Sequence, residues 1–315
     1  MAVAIRSASV VLKKKFSPLD AHNSSIWRKK KGFICKMSTS ESPNLSHSIT
    51  LPNKKSEPVR ILAEPGVSSS DCRNAIDSSL FKQWLHNLQS ETGILADGTL
   101  ALRQVLIQLD SFWCKQGVDM FGKRIGFLKF KADIYDKQTG KKVPGIVFAR
   151  GPAVTVLILL ESDGETYAVL TEQARVPTGR IILELPAGML DDDKGDFVGT
   201  AVREVEEETG IKLKLEDMVD LTAFLDSSTG CRFFPSPGGC DEEISIFLYR
   251  GRVDKEIITQ LHGKETGLRD HGELIKVRVV PYKKLWRTTA DAKALAAVAL
   301  FEMVTKEGLL PPSPT

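Results

Sequence analysis

No stretch of this chain approaches the roughly eighteen consecutive apolar residues that a membrane helix needs. The longest candidate, 153–160, is strand-sized and stops at Glu161. A membrane partner is therefore not expected. The five cysteines, Cys35, Cys72, Cys114, Cys231 and Cys240, are odd in number and lack the paired short spacings of a zinc site or a disulfide framework, which points to a reducing compartment. Charge of one sign is also scarce, since a net +3 over 315 residues is too little to argue for nucleic acid as a partner. Acid is nearly missing from residues 1–40, where nine basic side chains face the single acid Asp20, so the remainder of the chain is net acidic.

That basic leader is rich in serine (Ser7, Ser9, Ser17, Ser24, Ser25, Ser38) and has no apolar h-region, which is the composition of an organelle transit peptide and not of a secretory signal. Serine outweighs any Arg-rich amphipathic pattern, so a plastid (chloroplast) address is expected. The plainer alternative is a basic tail with no address. We expect a leader over residues 1–50, a smaller N-terminal region over 51–118 and a larger domain over 119–310.

Within the N-terminal region, 56–70 reads as a linker or a first irregular strand around 59–62, because it is rich in Pro and Ser. Apolar residues at helical spacing (Leu80, Trp84 and Leu88; Leu102, Leu106 and Leu109) predict helices over 76–88 and 100–112. The period then changes to strand-like runs at 125–135, 143–148, 154–160, 167–171 and 181–185, separated by Gly, Pro and Asp-Gly turns. A helix over 197–209 follows, then strands near 221–225, 244–250 and 274–280, and a last helix over 291–306. The pattern predicts an α+β fold.

The helix 197–209 carries the densest chemistry. Residues three and four apart share a helical face, so Glu204, Glu207 and Glu208 point one way while Val198, Ala201, Val202 and Val205 form the apolar stripe. Two carboxylates about 5 Å apart repel by about 3 kcal/mol at an effective dielectric of about 20, more than helix propensity returns. A cation should compensate, and Mg2+ suits the site because it takes oxygen ligands from a few carboxylates together with substrate phosphates. The alternative is a solvated acidic face relieved in part by Arg203.

Gly188 followed by Arg203-Glu204-Val205-Glu206-Glu207-Glu208-Thr209-Gly210-Ile211 resembles the Nudix box, and its right half matches at every fixed position. The resemblance implies that Glu204, Glu207 and Glu208 bind divalent metal, that Arg203 orients them and that Gly210 closes the helix. Gly188 lies fifteen residues before Arg203, one more than the box prescribes, and the early Glu of the box falls within 193–196, where Asp193 or Asp196 is the substitute.

Three further segments resemble the branch of the family that acts on ADP-ribose and nucleoside diphosphate sugars. Upstream are Glu172-Gln173-Ala174-Arg175-Val176-Pro177 and Glu184-Leu185-Pro186-Ala187-Gly188-Met189, which imply that Ala187 offers its carbonyl to metal and that Arg175 and Glu184 serve the substrate. A guanidinium suits phosphate oxygens; the alternative is a surface arginine at a strand end. Downstream, Ser236-Pro237-Gly238-Gly239 implies a tight loop on the substrate side, with Glu242 or Glu243 reaching the metals. In the loop 267–273, Glu273 is the candidate general base and His271 the fallback. Phe224, Phe233 and Phe234 are candidates for packing adenine, or else core.

From the resemblance we expect a Nudix α/β/α sandwich with mixed sheets, a homodimer, and Mg2+ (Mn2+ as substitute) as cofactor. The implied reaction is hydrolysis of a nucleoside diphosphate sugar, chiefly ADP-glucose to AMP and glucose 1-phosphate. The alternatives are an ADP-ribose hydrolase giving AMP and ribose 5-phosphate, and a non-catalytic nucleotide sensor.

Overall fold

Alternating apolar residues give this chain two sheets, each closed by helices on a buried face. The computed structural model describes residues 46–51, 58–108, 119–121, 124–190, 196–267 and 274–312. The first sheet contains β1 (Ser46–Ile49), β2 (Val59–Ala63), β3 (Leu100–Gln108), β4 (Asp119–Phe121), β5 (Arg124–Asp136), β6 (Lys142–Val143) and β7 (Ile146–Ala149). Its order is β1-β2-β3-β5-β4, with β6 and β7 also pairing β5. Strands β2 and β3 are parallel, so the chain crosses over between them, through α1 (Ser69–Asp77) and α2 (Ser79–Gln89). Those helices cover one face of the sheet, where Phe81 and Trp84 pack edge-on against Phe130 of β5.

Two expectations change in this region. The helix expected over 76–88 is two helices divided at Ser78, whose N–H donates to Ala75 O while its Oγ accepts from Phe81 N–H, ending α1 and capping α2 with one residue. The helix expected over 100–112 is, as far as it is described, the strand β3. A bulge between Leu102 and Gln104 shifts the register, so Leu102, Val105 and Ile107 are buried in the core while Leu106 is only half-buried, and the helical spacing of Leu102 and Leu106 does not mark one buried face. Strands β3 and β5, on the two sides of residue 119, are antiparallel neighbours in one sheet, which runs on to Ala149.

The second sheet contains β8 (Ala153–Ser162), β9 (Glu165–Arg175), β10 (Arg180–Glu184), β11 (Ala187–Met189), β12 (Met218–Asp220), β13 (Ile244–Arg252), β14 (Glu265–Thr266) and β15 (Ile275–Pro281). The order is β12-β13-β8-β9-β15-β14, with β10 pairing β9 and β11 pairing β8, and only β13 and β8 run parallel among the described pairs. Strand β8 is covered on both faces, which explains its unbroken apolar run. Val154, Val156, Ile158 and Leu160 pack under α3 (Phe197–Thr209) and α4 (Lys255–Leu261); Leu157 and Leu159 pack under α5 (Tyr282–Thr288) and α6 (Ala292–Lys306). The result is the expected α/β/α sandwich with mixed sheets.

The strand expected over 221–225 is instead the short β12 followed by a turn of 3-10 helix over Thr222–Phe224, because the Asp220 carboxylate accepts from the N–H groups of Thr222 and Ala223 and bends the chain there. Among the described residues no helix is long and apolar enough to cross a membrane.

Candidate active site

The acidic helix is α3, and it starts and stops on local signals. Asp196 caps it, its Oδ1 accepting from Gly199 N–H at 2.9 Å, so this aspartate is engaged at the helix N-terminus. Gly210 ends it in the left-handed region (φ 74°), with its N–H donating to Glu206 O at 2.8 Å. Ala201 and Val205 are buried against β8, with Val198 and Val202 packed beside them, so the apolar stripe faces the sheet as the sequence indicates.

The three carboxylates are then presented to different surroundings. Glu204 lies against Gly188 of β11 so closely that a Cβ at residue 188 would stand 1.9 Å from the Glu204 carboxyl carbon. A side chain there would displace the carboxylate, which is the physical reason for glycine at this position of the box. Glu208 is turned into the protein; its Oε2 accepts from Ala187 N–H at 3.1 Å and its Oε1 from Gln173 Nε2 at 3.0 Å. Burial, with a smaller push from Glu204, raises its carboxyl to about 8 in spite of those two hydrogen bonds. Glu207 is the most open of the three, and Arg203 lies along the helix edge, 3.8 Å from Glu204 and 4.0 Å from Glu207, distances of loose pairs.

Among the described residues no three His, Cys, Asp or Glu side chains are gathered tightly enough to hold an ion by themselves. The donor set still fits a hard divalent cation. It consists of carboxylate oxygens only, and a cation would offset the cost of ionising Glu208 beside Glu204. Such an ion keeps waters and takes substrate phosphates, so a closed protein cage is not required.

Arg175 ends β9 and Glu184 ends β10, and the hairpin pairing brings them together. Arg175 Nε donates to Glu184 Oε1 at 2.6 Å and Nη2 to Oε2 at 3.0 Å, a two-pronged pair. Glu184 also accepts from Lys293 Nζ at 3.0 Å, and Lys293 donates to Asp291 Oδ1 at 2.9 Å. Burial would raise the Glu184 carboxyl, but Arg175 and Lys293 together outweigh it and hold it below the ordinary range. Glu184 is thus committed to protein partners, whereas among the described residues Arg175 gives two of its five side-chain N–H donors to Glu184 and none of the other three to a protein acceptor. Asp291 and Lys293 had no signal in the sequence beyond an aspartate preceding an apolar helix.

The segment 236–243 lies beside β7 of the first sheet. Phe148 N–H donates to Gly239 O at 2.8 Å, and Asp241 Oδ1 accepts from the N–H groups of Arg150 (2.7 Å) and Gly151 (3.2 Å). A side chain at Gly238 or Gly239 would meet nothing within 4 Å and neither has positive φ, so the turn itself does not require these glycines. Glu242 pairs with Arg150 at 3.4 Å, and Arg150 Nε also reaches Met189 Sδ, which links this loop to β11. Burial raises the Glu243 carboxyl, with Arg232 opposing. Phe233 is packed against the core, while Phe224 and Phe234 are exposed. Asp193, His271 and Glu273 lie outside the described residues.

Comparison with known proteins agrees with this geometry. The NUDIX domain family matches residues 149–301, the span from the end of β7 to within α6. The chain is 74% identical over 276 residues to "Nudix hydrolase 14, chloroplastic" of Arabidopsis thaliana, covering 88% of this chain and 86% of that protein. It is 35% identical over 154 residues to the methanol dehydrogenase activator of Bacillus methanolicus, covering 49% and 74%. It is 29% identical over 159 residues to the ADP-ribose pyrophosphatase of Bacillus subtilis (strain 168), covering 50% and 75%. With the acidic helix seated on Gly188 and a relative matched over nearly its whole length, this chain belongs to the Nudix hydrolase family.

Proposed function

We propose that this Nudix hydrolase cleaves the pyrophosphate of ADP-sugars, chiefly ADP-glucose to AMP and glucose 1-phosphate, with Mg2+ as cofactor and Mn2+ as a substitute. The observation that carries the reading is the meeting of two charge types at one end of the second sheet. Carboxylates of α3 abut Ala187 and Gly188 of β11, and Arg175 is near enough to Glu208 to act on its charge. Oxygen donors for a cation thus stand near a guanidinium with free donors for phosphate.

The bound cation would neutralise phosphate charge and make a water more acidic. Glu204, Glu207 and Glu208 would hold it, with the Ala187 carbonyl. Arg175 directs its remaining N–H groups at the phosphoryl oxygens, steadying their charge before and during the attack alike. Water oxygen bonds to one phosphorus, the bridging P–O bond breaks with its electron pair leaving on the departing phosphate, and Glu273 takes the water's proton. Gly238, Gly239 and Glu242 lie on the substrate side, and Arg203 keeps Glu204 and Glu207 in place.

A homodimer and a plastid address are part of the proposal. The first is checked by light scattering. The second is supported by the basic, serine-rich residues 1–40 and by the chloroplastic name of the 74% identical relative, and is checked by where a fluorescent fusion of residues 1–60 accumulates.

The name of the Bacillus subtilis relative favours a second reading, ADP-ribose to AMP and ribose 5-phosphate. Initial rates with ADP-glucose, ADP-ribose and UDP-glucose decide between them. Preference for ADP-ribose overturns the hexose assignment, and no AMP from any of them with Mg2+ present leaves a nucleotide-sensing module.

A further inference from the structure

We infer that Lys293 of α6 is a positioning residue for phosphate binding, acting through Glu184 on the guanidinium of Arg175. The inference rests on the reading that Arg175 grips the substrate's phosphates. Lys293 belongs to none of the motifs that define the box, and 109 residues separate it from Glu184.

Its ammonium sits between two carboxylates with little solvent, the side chain being 17% exposed. Asp291 holds it from behind, and Asp291 is itself fixed because it caps α6, accepting from the N–H groups of Lys293 and Ala294. The same turn is tied to β10, since Thr289 Oγ1 donates to Leu183 O and accepts from Asp291 N–H. Lys293, Asp291, Glu184 and Arg175 therefore form one chain of contacts from the N-terminus of α6 to the end of β9.

Local stability does not require a lysine here. Arg175 alone would neutralise Glu184, and Asp291 caps its helix with or without an ammonium beside it. Burying a lysine costs desolvation and side-chain entropy. What the second cation adds is a division of Glu184's charge: Oε2 is shared by Arg175 Nη2 and Lys293 Nζ at the same 3.0 Å. Arg175 is left with more of its own charge to offer a phosphate. Its guanidinium plane is also fixed, because the carboxylate that grips it is anchored on its far side.

The test compares Lys293→Met, Lys293→Arg and Arg175→Ala in the full chain, with AMP release from ADP-glucose and ADP-ribose and with melting temperatures. Lys293→Met should raise KM about tenfold with kcat within about twofold, the signature of lost uniform binding, and Lys293→Arg should recover most of it. In the Arg175→Ala background Lys293→Met should add nothing. Should Arg175→Ala leave KM unchanged, the reading of Arg175 fails first. A raised KM in Arg175→Ala with an unaltered KM in a folded Lys293→Met overturns the inference alone, as does a lower melting temperature with no change in KM. If Lys293→Met does not fold, Asp291→Asn keeps the cap and loosens the ammonium; KM should then rise about threefold, and an unchanged KM is again fatal to the idea.

Discussion

Two groups of charged side chains lie at this end of the second sheet, and they are built in opposite ways. Arg175, Glu184, Lys293 and Asp291 form a closed set, with two cations and two anions at 2.6–3.0 Å. Glu204, Glu207 and Glu208 are like charges on one helix, met by Arg203 at only 3.8 and 4.0 Å, and one of them is buried at the cost of a carboxyl raised to about 8. The first balances its own charge, and in the proposed reading it serves to orient Arg175 toward phosphate. The second gathers like charge on one helix face beside Gly188, an arrangement suited to a cation and a phosphate group.

The contrast can be broken experimentally, and the largest effect should come from the open set. Glu207→Gln removes a ligand without changing the helix, so Mg2+-dependent AMP release should fall by about a hundredfold or more with unchanged circular dichroism. Retained activity would mean that α3 is only a solvated acidic face. Glu273→Gln should cost kcat on the order of a hundredfold with little change in KM if it takes the water's proton; a normal kcat moves that role to His271 or elsewhere.

The closed set should answer through stability and acid. Glu184→Gln leaves Arg175 and Lys293 sharing a buried site without their anion, and should cost about 3 kcal/mol at neutral pH by denaturant unfolding. The sign with pH follows from the lowered carboxyl. Glu184 contributes stability above its unfolded value near 4.5, and that contribution disappears as pH falls through the lower folded value. The variant should therefore lose less stability than the parent between pH 5 and pH 3, and parallel curves would show that Glu184 is not held as described. The smallest effect expected is at the end of α3, where Gly210→Ala puts a Cβ into the left-handed region and should cost about 1 kcal/mol, read as a lower melting temperature.

Much of this was legible in residue order, for reasons that differ by element. Helix α3 has its cap at Asp196, its apolar stripe and its stop at Gly210 all within fifteen residues, and its extent over 197–209 is the one the sequence predicts. Strand β8 announces itself by an apolar run only a doubly covered strand sustains. By contrast β3 carries Leu102 and Leu106 at helical spacing, yet the strand with its bulge buries Val105 and Ile107 with Leu102 and leaves Leu106 half-buried. Helices α4 and α5 were missed, each being only seven residues with few signals to read.

The sequence by itself determined the acidic helix and singled out Gly188 and Arg175, because each depends on neighbours within a few residues or on a fixed motif. Only the tertiary structure decided which carboxylate is buried, that Glu184 is committed to Arg175, and that Lys293 stands behind both. Those facts depend on β9, β10, β11 and α6 meeting across more than a hundred residues of chain, and charge separation in space cannot be read from separation in sequence.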